Sequence, residues 1–145
     1  NGLRAGIITA KGLAFSLGVP LVGIGTLEAE AYPFALTGRP VCPVLAVGRE
    51  LVAGLFQGVA GNLCRLREEA VVTEAELRSL SADVILCGEL SEELASRLGV
   101  IPSQRRAGHL AALGWQRLAR GEWDDPDTLQ PRYLLRPPVP LPPST

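Results

Sequence analysis

Hydrophobic and small residues run almost all the way round the first stretch of the chain. Asn1 is a good N-cap and Gly18 with Pro20 a good stop, so the pattern predicts one helix over Gly2 to Leu17. Its charges, Arg4 and Lys11, are seven apart and fall on one narrow stripe. A helix apolar on most of its circumference is expected to be covered on more than one side. Gly2, Gly6, Ala10, Ala14 and Gly18 recur at a spacing of four and form a ridge of small residues, over which another helix backbone can approach closely. Each glycine inside a helix costs roughly 0.5–1 kcal/mol relative to alanine, so packing or function must offset the ridge.

The pattern then changes. Pro20 to Gly25 is a continuous apolar run, expected to be a buried parallel strand. Thr26 is expected to cap a helical segment from Leu27 to Tyr32, which Pro33 ends. Thr37-Gly-Arg-Pro40 reads as a turn and as the boundary between two lobes. Val41–Val47, Leu51–Gln57 and Leu63–Glu68 are strand-like and separated by short breaks, which predicts an antiparallel meander. Thr73-Glu-Ala-Glu76 is a capping box that opens a short helix to Leu80. Asp83–Cys87 is a further buried strand, and Gly88 turns it into a helix from Glu92 to Leu98, capped by Ser91 and stopped by Gly99. Ser103 is expected to cap a last helix to Arg120, with an apolar stripe of Ala107, Leu110, Ala111, Gly114 and Leu118. Three antiparallel strands followed by alternating strands and helices is the order of a ribonuclease-H-like lobe. Pro138 to Thr145 reads as a proline-rich, extended tail.

Composition narrows the classes. In 145 residues, 47% are hydrophobic, enough for a core, and the net charge of −1 gives no field that would draw the chain to nucleic acid or an anionic membrane. No apolar run approaches the roughly 20 residues of a membrane span. Cys42, Cys64 and Cys87 are odd in number, widely spaced and set in apolar, strand-like surroundings, so all three read as reduced core residues of a cytoplasmic protein. Methionine is absent and the chain opens inside an apolar helix with no strand before it. This leads us to expect the back part of a longer protein.

Gly2-Leu-Arg-Ala-Gly-Ile-Ile-Thr-Ala-Lys-Gly-Leu-Ala14, the join Gly18-Val-Pro-Leu-Val-Gly23 and Thr26-Leu-Glu28 resemble the TsaB (YeaZ) family, as do the closing Pro131, Tyr133, Leu134, Arg136 and Pro137. The resemblance spans the chain, thinly between Gly48 and Leu129. It implies an α/β, actin-like ATPase (ribonuclease-H-like) fold with a partial first lobe and a complete second lobe. The divisions expected are 1–37 for the first-lobe remnant, 38–136 for the second lobe and 137–145 for the tail. It implies a role in making threonylcarbamoyladenosine beside the anticodon of tRNA, as the non-catalytic partner of a TsaD-like catalytic subunit, with a TsaE-like ATPase as third component. Contact with tRNA would be indirect. The interface expected from the small ridge is Gly2, Leu3, Gly6, Ile7, Ala10, Leu13 and Ala14. The same surface would serve a homodimer, and the remnant up to Leu36 is expected to be swapped or packed between copies.

No catalytic, metal or cofactor residue is expected. In the catalytic relatives a His-x-x-x-His pair, two histidines on one helical face, shares a metal. The matching stretch here is Thr26-Leu-Glu-Ala-Glu30, where Thr26 reads as a cap and Glu30 as part of a solvated face. Where many relatives keep Asp-Ala-Arg-Arg at the start of the second lobe, this chain has Ala46-Val-Gly-Arg49. The late glycine pair that admits a nucleotide is reduced to Cys87-Gly88-Glu89, with a carboxylate that repels anions. Gly23-Ile-Gly25 lacks the last glycine of a dinucleotide fingerprint, Glu28 standing in its place. His109, the single histidine, has no nucleophile motif beside it and reads as a packing residue. Arg105, Arg106, Arg117, Arg120, Arg132 and Arg136 make the C-terminal part locally basic, without interleaved aromatics, and read as a solvated helix face. The rival readings are an M22-type, metal-dependent glycoprotease-like enzyme, a threonylcarbamoyl transferase, and a homodimerising domain.

Overall fold

The computed structural model describes residues 2–132. The cap at Asn1, the motif residues Tyr133, Leu134, Arg136 and Pro137, and the proline-rich tail lie outside them.

Helix α1 spans Gly2–Leu17, as the pattern predicts. It ends in a Schellman motif: Gly18 turns left-handed, its N–H bonds to Phe15 O and the Val19 N–H bonds to Ala14 O. Helix α2 (Thr26–Ala31) passes directly into a 3-10 helix, Tyr32–Thr37. Pro33 does not end the helical path, because it sits in the first turn of the 3-10 segment, where no N–H is needed. Strands β1 (Pro40–Val47), β2 (Glu50–Val59) and β3 (Asn62–Val72) form the meander. Then come α3 (Glu74–Arg78), β4 (Ile85–Glu89), α4 (Glu92–Leu98), the two-residue β5 (Ile101–Pro102) and α5 (Ala107–Ala119).

The strands make one sheet in the order β3-β2-β1-β4-β5. The β1–β2 and β2–β3 pairs are antiparallel, while β1–β4 and β4–β5 are parallel. This mixed α/β arrangement is the expected ribonuclease-H-like order. Strand β1 is central, and Val41, Cys42, Pro43 and Val44 are buried on both faces. Pro43 has no N–H to give, and β1 pairs with β2 at Val41–Phe56 and Val44–Ala53 but not between.

Successive side chains serve opposite faces. On one face Val41, Val52, Phe56, Ile85 and Cys87 pack with Leu27 and Ala31 of α2. On the other, Cys42, Val44 and Ala53 pack with Leu77 of α3, and Leu98 of α4 joins them. The capping box is present in full: Thr73 Oγ1 accepts from the Glu76 N–H, and a Glu76 carboxylate oxygen accepts from the Thr73 N–H at 2.6 Å. These bonds hold the Glu76 carboxyl below its ordinary range.

Two expectations fail here. Pro20 to Gly25 is not a parallel strand; Leu21 makes a single antiparallel bridge, to Asp124. No sheet strand runs beside it among the described residues, so the apolar run docks on the chain after α5 instead. Helix α5 begins at Ala107 and not after Ser103, and Arg106 occupies its N-cap position without a side-chain cap. Ser103 is drawn away by a buried carboxylate described below.

Two consequences are testable. The 3-10 helix lies directly on β2 at Gly58, where a Cβ would overlap the Ala35 carbonyl. Gly58→Ala should destabilise the fold by about 2–3 kcal/mol, as overpacking does; a loss within experimental error in urea titration would show that the contact yields freely. Burial pushes the Cys42 thiol up to about 11 and that of Cys87 up to about 12, the latter also raised by Glu30 and Cys42. Cys64 is exposed and does not meet the expectation of a core residue. Alkylation of the native protein at pH 8 should therefore modify Cys64 alone, and mass spectrometry showing modified Cys87 would contradict the packing.

Candidate functional site

Helix α1 is the most exposed apolar element. Ala14 is its only fully buried residue, with Ile7, Ala10 and Lys11 half-buried around it at helical spacing. Of the expected interface residues, Gly2, Leu3, Gly6 and Leu13 are exposed. The small ridge therefore divides. Its N-terminal members are open to solvent, whereas Ala10 and Ala14 turn toward the body of the chain. Beside them stand Ile8 (69% exposed), Phe15 (89%) and Leu17, which the ridge argument did not single out. Leu13 and Leu17 lie on the flank of Gly2 and Gly6, and Ile8 and Phe15 on the flank opposite, so α1 exposes large apolar groups on both sides of its buried stripe, which is unusual for a helix of a closed monomer.

The second concentration of chemistry is α2, and sequence reading missed it. Leu27, Glu28, Ala29, Glu30 and Ala31 are all buried. Glu28 and Glu30 sit two residues apart and so project from nearly opposite sides of the helix. Arg117 of α5 meets Glu28: its Nη2 donates to Oε2 at 2.7 Å, and its Nη1 donates to the Gly23 carbonyl at 2.6 Å. The Gly23 N–H in turn donates to Asp124 Oδ2 at 2.6 Å. Glu30 faces the other way, toward the C-terminal ends of β4 and β5. Its Oε1 accepts from Ser103 Oγ at 2.7 Å and lies 3.3 Å from Arg105 Nη1. Arg105 Nη2 reaches on to Glu89 Oε2 at 3.0 Å. Glu30 Oε2 is buried and has no hydrogen-bond partner among the described residues.

These contacts correct several expectations. Glu30 is 0% exposed and not part of a solvated face. Thr26 is the first residue of α2, and Gly25 holds the cap position without a side-chain bond. Arg105 and Arg117 are spent on internal carboxylates, and Arg120 pairs with Glu122 at 2.9 Å. The solvated-face reading therefore fails for Arg105 and Arg117 and holds for Arg106, Arg120 and Arg132, which are exposed. The inner side of α5 is His109, Ala112, Leu113, Gln116 and Arg117; of the expected stripe Gly114 and Leu118 are half-buried with them, while Ala107, Leu110 and Ala111 are exposed. The helix is rotated because Arg117 must face Glu28. His109 packs on Tyr32, with ring centroids 5.8 Å apart, as the packing reading has it.

The positions that match the metal-binding histidines of the catalytic relatives do not fit a metal. Thr26 is exposed, and the bonded oxygen of Glu30 faces a guanidinium. Among the described residues no group of three or more His, Cys, Asp or Glu is arranged to hold a metal ion. Gly88 is not a turn but lies inside β4, in a left-handed region, where a Cβ would overlap the Val44 carbonyl of β1. Close strand approach accounts for this glycine. No helix among the described residues is long and apolar enough to cross a membrane.

Comparison with known proteins agrees with this architecture. A crystal structure of a protein from Pseudomonas aeruginosa, described as similar to peptidase YeaZ, superposes with a TM-score of 0.75 at 22% identity, covering 92% of this chain and 68% of that one. YeaZ from Pseudomonas aeruginosa superposes with a TM-score of 0.67, also at 22% identity, over 88% of this chain and 65% of its own. The fold is therefore the actin-like one of the YeaZ proteins. No curated protein matches the sequence. Residues 1–112 match TsaD, tRNA N6-adenosine threonylcarbamoyltransferase, and on that match the chain belongs to the TsaD family.

Proposed function

We propose that this chain is a TsaB-like, non-catalytic scaffold of the threonylcarbamoyladenosine modification machinery, and that it binds a TsaD-like catalytic subunit through α1. The observation that carries the reading is the open flank of α1 where Leu3, Leu13 and Leu17 are exposed beside Gly2 and Gly6, which leave room for a close helix approach. Leu3 and Leu13 are the anchors of this reading, and Ala14 supports the helix from beneath. A TsaE-like ATPase joins the same complex, contact with tRNA is through the partners, and the setting is cytoplasmic.

The enzyme reading is the weaker one. A glycoprotease-like metal centre or a transferase centre needs ligands or a nucleophile at the α2 position. This chain supplies an exposed Thr26 and a Glu30 already tied to Ser103 and Arg105. The division into a first-lobe part (1–37) and a second lobe (38–136) belongs to the same proposal. It divides the chain and not the core, since Leu27 and Ala31 pack in the same cluster as Val41 and Phe56.

A homodimer through α1 is the competing use of the same face, and the two separate by mixing. Light scattering of this chain with a TsaD-like subunit from the same source should give a heterocomplex that displaces any self-association. Leu3→Asp and Leu13→Asp should each weaken it by about 30-fold or more, the size of an interface hot spot, with unfolding by urea unchanged. Full binding by both variants would refute the α1 assignment, and a mass that responds only to this chain's own concentration would favour the homodimer.

A further inference from the structure

In open α/β sheets, ligands collect outside the carboxyl ends of parallel strands. Here that edge is formed by β1, β4 and β5, and it is where Glu89, Ser103 and Arg105 gather. Glu89 ends β4, and the segment carrying Ser103 and Arg105 leaves β5 for α5. Across from them stands Glu30, with the Cys87 thiol donating to its main-chain carbonyl at 3.6 Å. One guanidinium therefore bridges two carboxylates, one of them fully buried.

We infer that Glu30, Ser103, Arg105 and Glu89 form an internal lock that occupies this edge in place of a ligand, fixing α2 to the sheet and to the start of α5 without nucleotide or metal. The charges support it. Arg105, the cation that would draw a phosphate, is taken up by two carboxylates, and those carboxylates, the groups that would draw a metal ion, are taken up by Arg105. The lock joins elements far apart in sequence, since 73 residues separate Glu30 from Ser103. It also has an internal order. Glu89 is 67% exposed at its side chain, so its pair with Arg105 contributes little. Glu30 is the deep member, and removing its cation leaves a buried, uncompensated charge, the most damaging change a buried pair can suffer. With Arg105 removed, the carboxylate keeps only the neutral Ser103 hydroxyl, on Oε1, and Oε2 has no hydrogen-bond partner among the described residues.

The order of effects gives the test, on the full chain. Glu89→Gln should leave the melting temperature nearly unchanged. Arg105→Ala should lower it by roughly 5–10 °C. Adding Glu30→Gln to Arg105→Ala should restore part of that loss, because the amide removes the stranded charge while still accepting from Ser103. Hydrogen exchange at the α2 amides should rise in Arg105→Ala and fall again in the double variant. If Arg105→Ala does not fold, a folded double variant is the same rescue. Additive losses in the double variant would overturn the lock. So would a rise of several degrees on adding millimolar MgATP or zinc to the unmodified protein, the response of a site that still takes a ligand.

Discussion

Everything on one side of the sheet depends on how two buried glutamates are answered. Helix α2 has six residues, too few to hold together by its own hydrogen bonds. Leu27 and Ala31 anchor it to the core, but Glu28 and Glu30 are buried with them. A buried carboxylate is tolerated only when paired and hydrogen-bonded. Arg117 and Arg105 meet that demand from the two ends of one C-terminal stretch. The position of α5, the rotation that turns Arg117 inward and the path of the loop after β5 all follow. Such pairs add little net stability, since desolvation offsets attraction, but breaking one is costly. They therefore specify an arrangement more than they strengthen it.

The reach of this constraint extends back along the chain. Arg117 also holds the Gly23 carbonyl, and Asp124 holds the Gly23 N–H and, through its own N–H, the Leu21 carbonyl. The apolar segment between α1 and α2 is thereby satisfied without belonging to a sheet. A Cβ at position 23 would stand 2.9 Å from Leu129 Cδ1, so a larger residue there would have to displace the end of that side chain. By contrast α1 touches the body mainly through Ala14 and its half-buried neighbours. The ion pairs and side-chain hydrogen bonds of this network thus lie after Gly18, and α1, before them, carries the apolar surface. That separation is what a docking element needs, since its surface can be engaged without disturbing the ion pairs behind it.

What could be read from sequence and what could not divide along a physical line. Helix α1, the meander, the capping box at Thr73 and the stop at Gly99 were legible because short-range chemistry decides them. The strand expected at Pro20 to Gly25 was not, because a continuous apolar run does not say which partner covers it. Ser103 was misjudged for a related reason: as a cap it competes with a carboxylate from 73 residues away. The phase of α5 failed with it, since apolar spacing favoured Leu110 while the Arg117–Glu28 pair selects Leu113. One signal was present. Glu28 and Glu30 lie on opposite sides of a short helix whose other residues are apolar or small, so no single solvent face could hold both. At least one had to be buried and to find a cation.

The α2 position thus links fold and function. In a catalytic relative the helical pair there would present ligands toward an open site. Here the first of the two positions is a small exposed threonine and the second is bound from within. A site that meets its own charge needs no ligand to reach its working shape. The scaffold role proposed above would be served by this, because holding a partner would then not wait on nucleotide. The division of labour follows from the burial pattern, with the ion pairs holding the lobe and the exposed side of α1 available for contact.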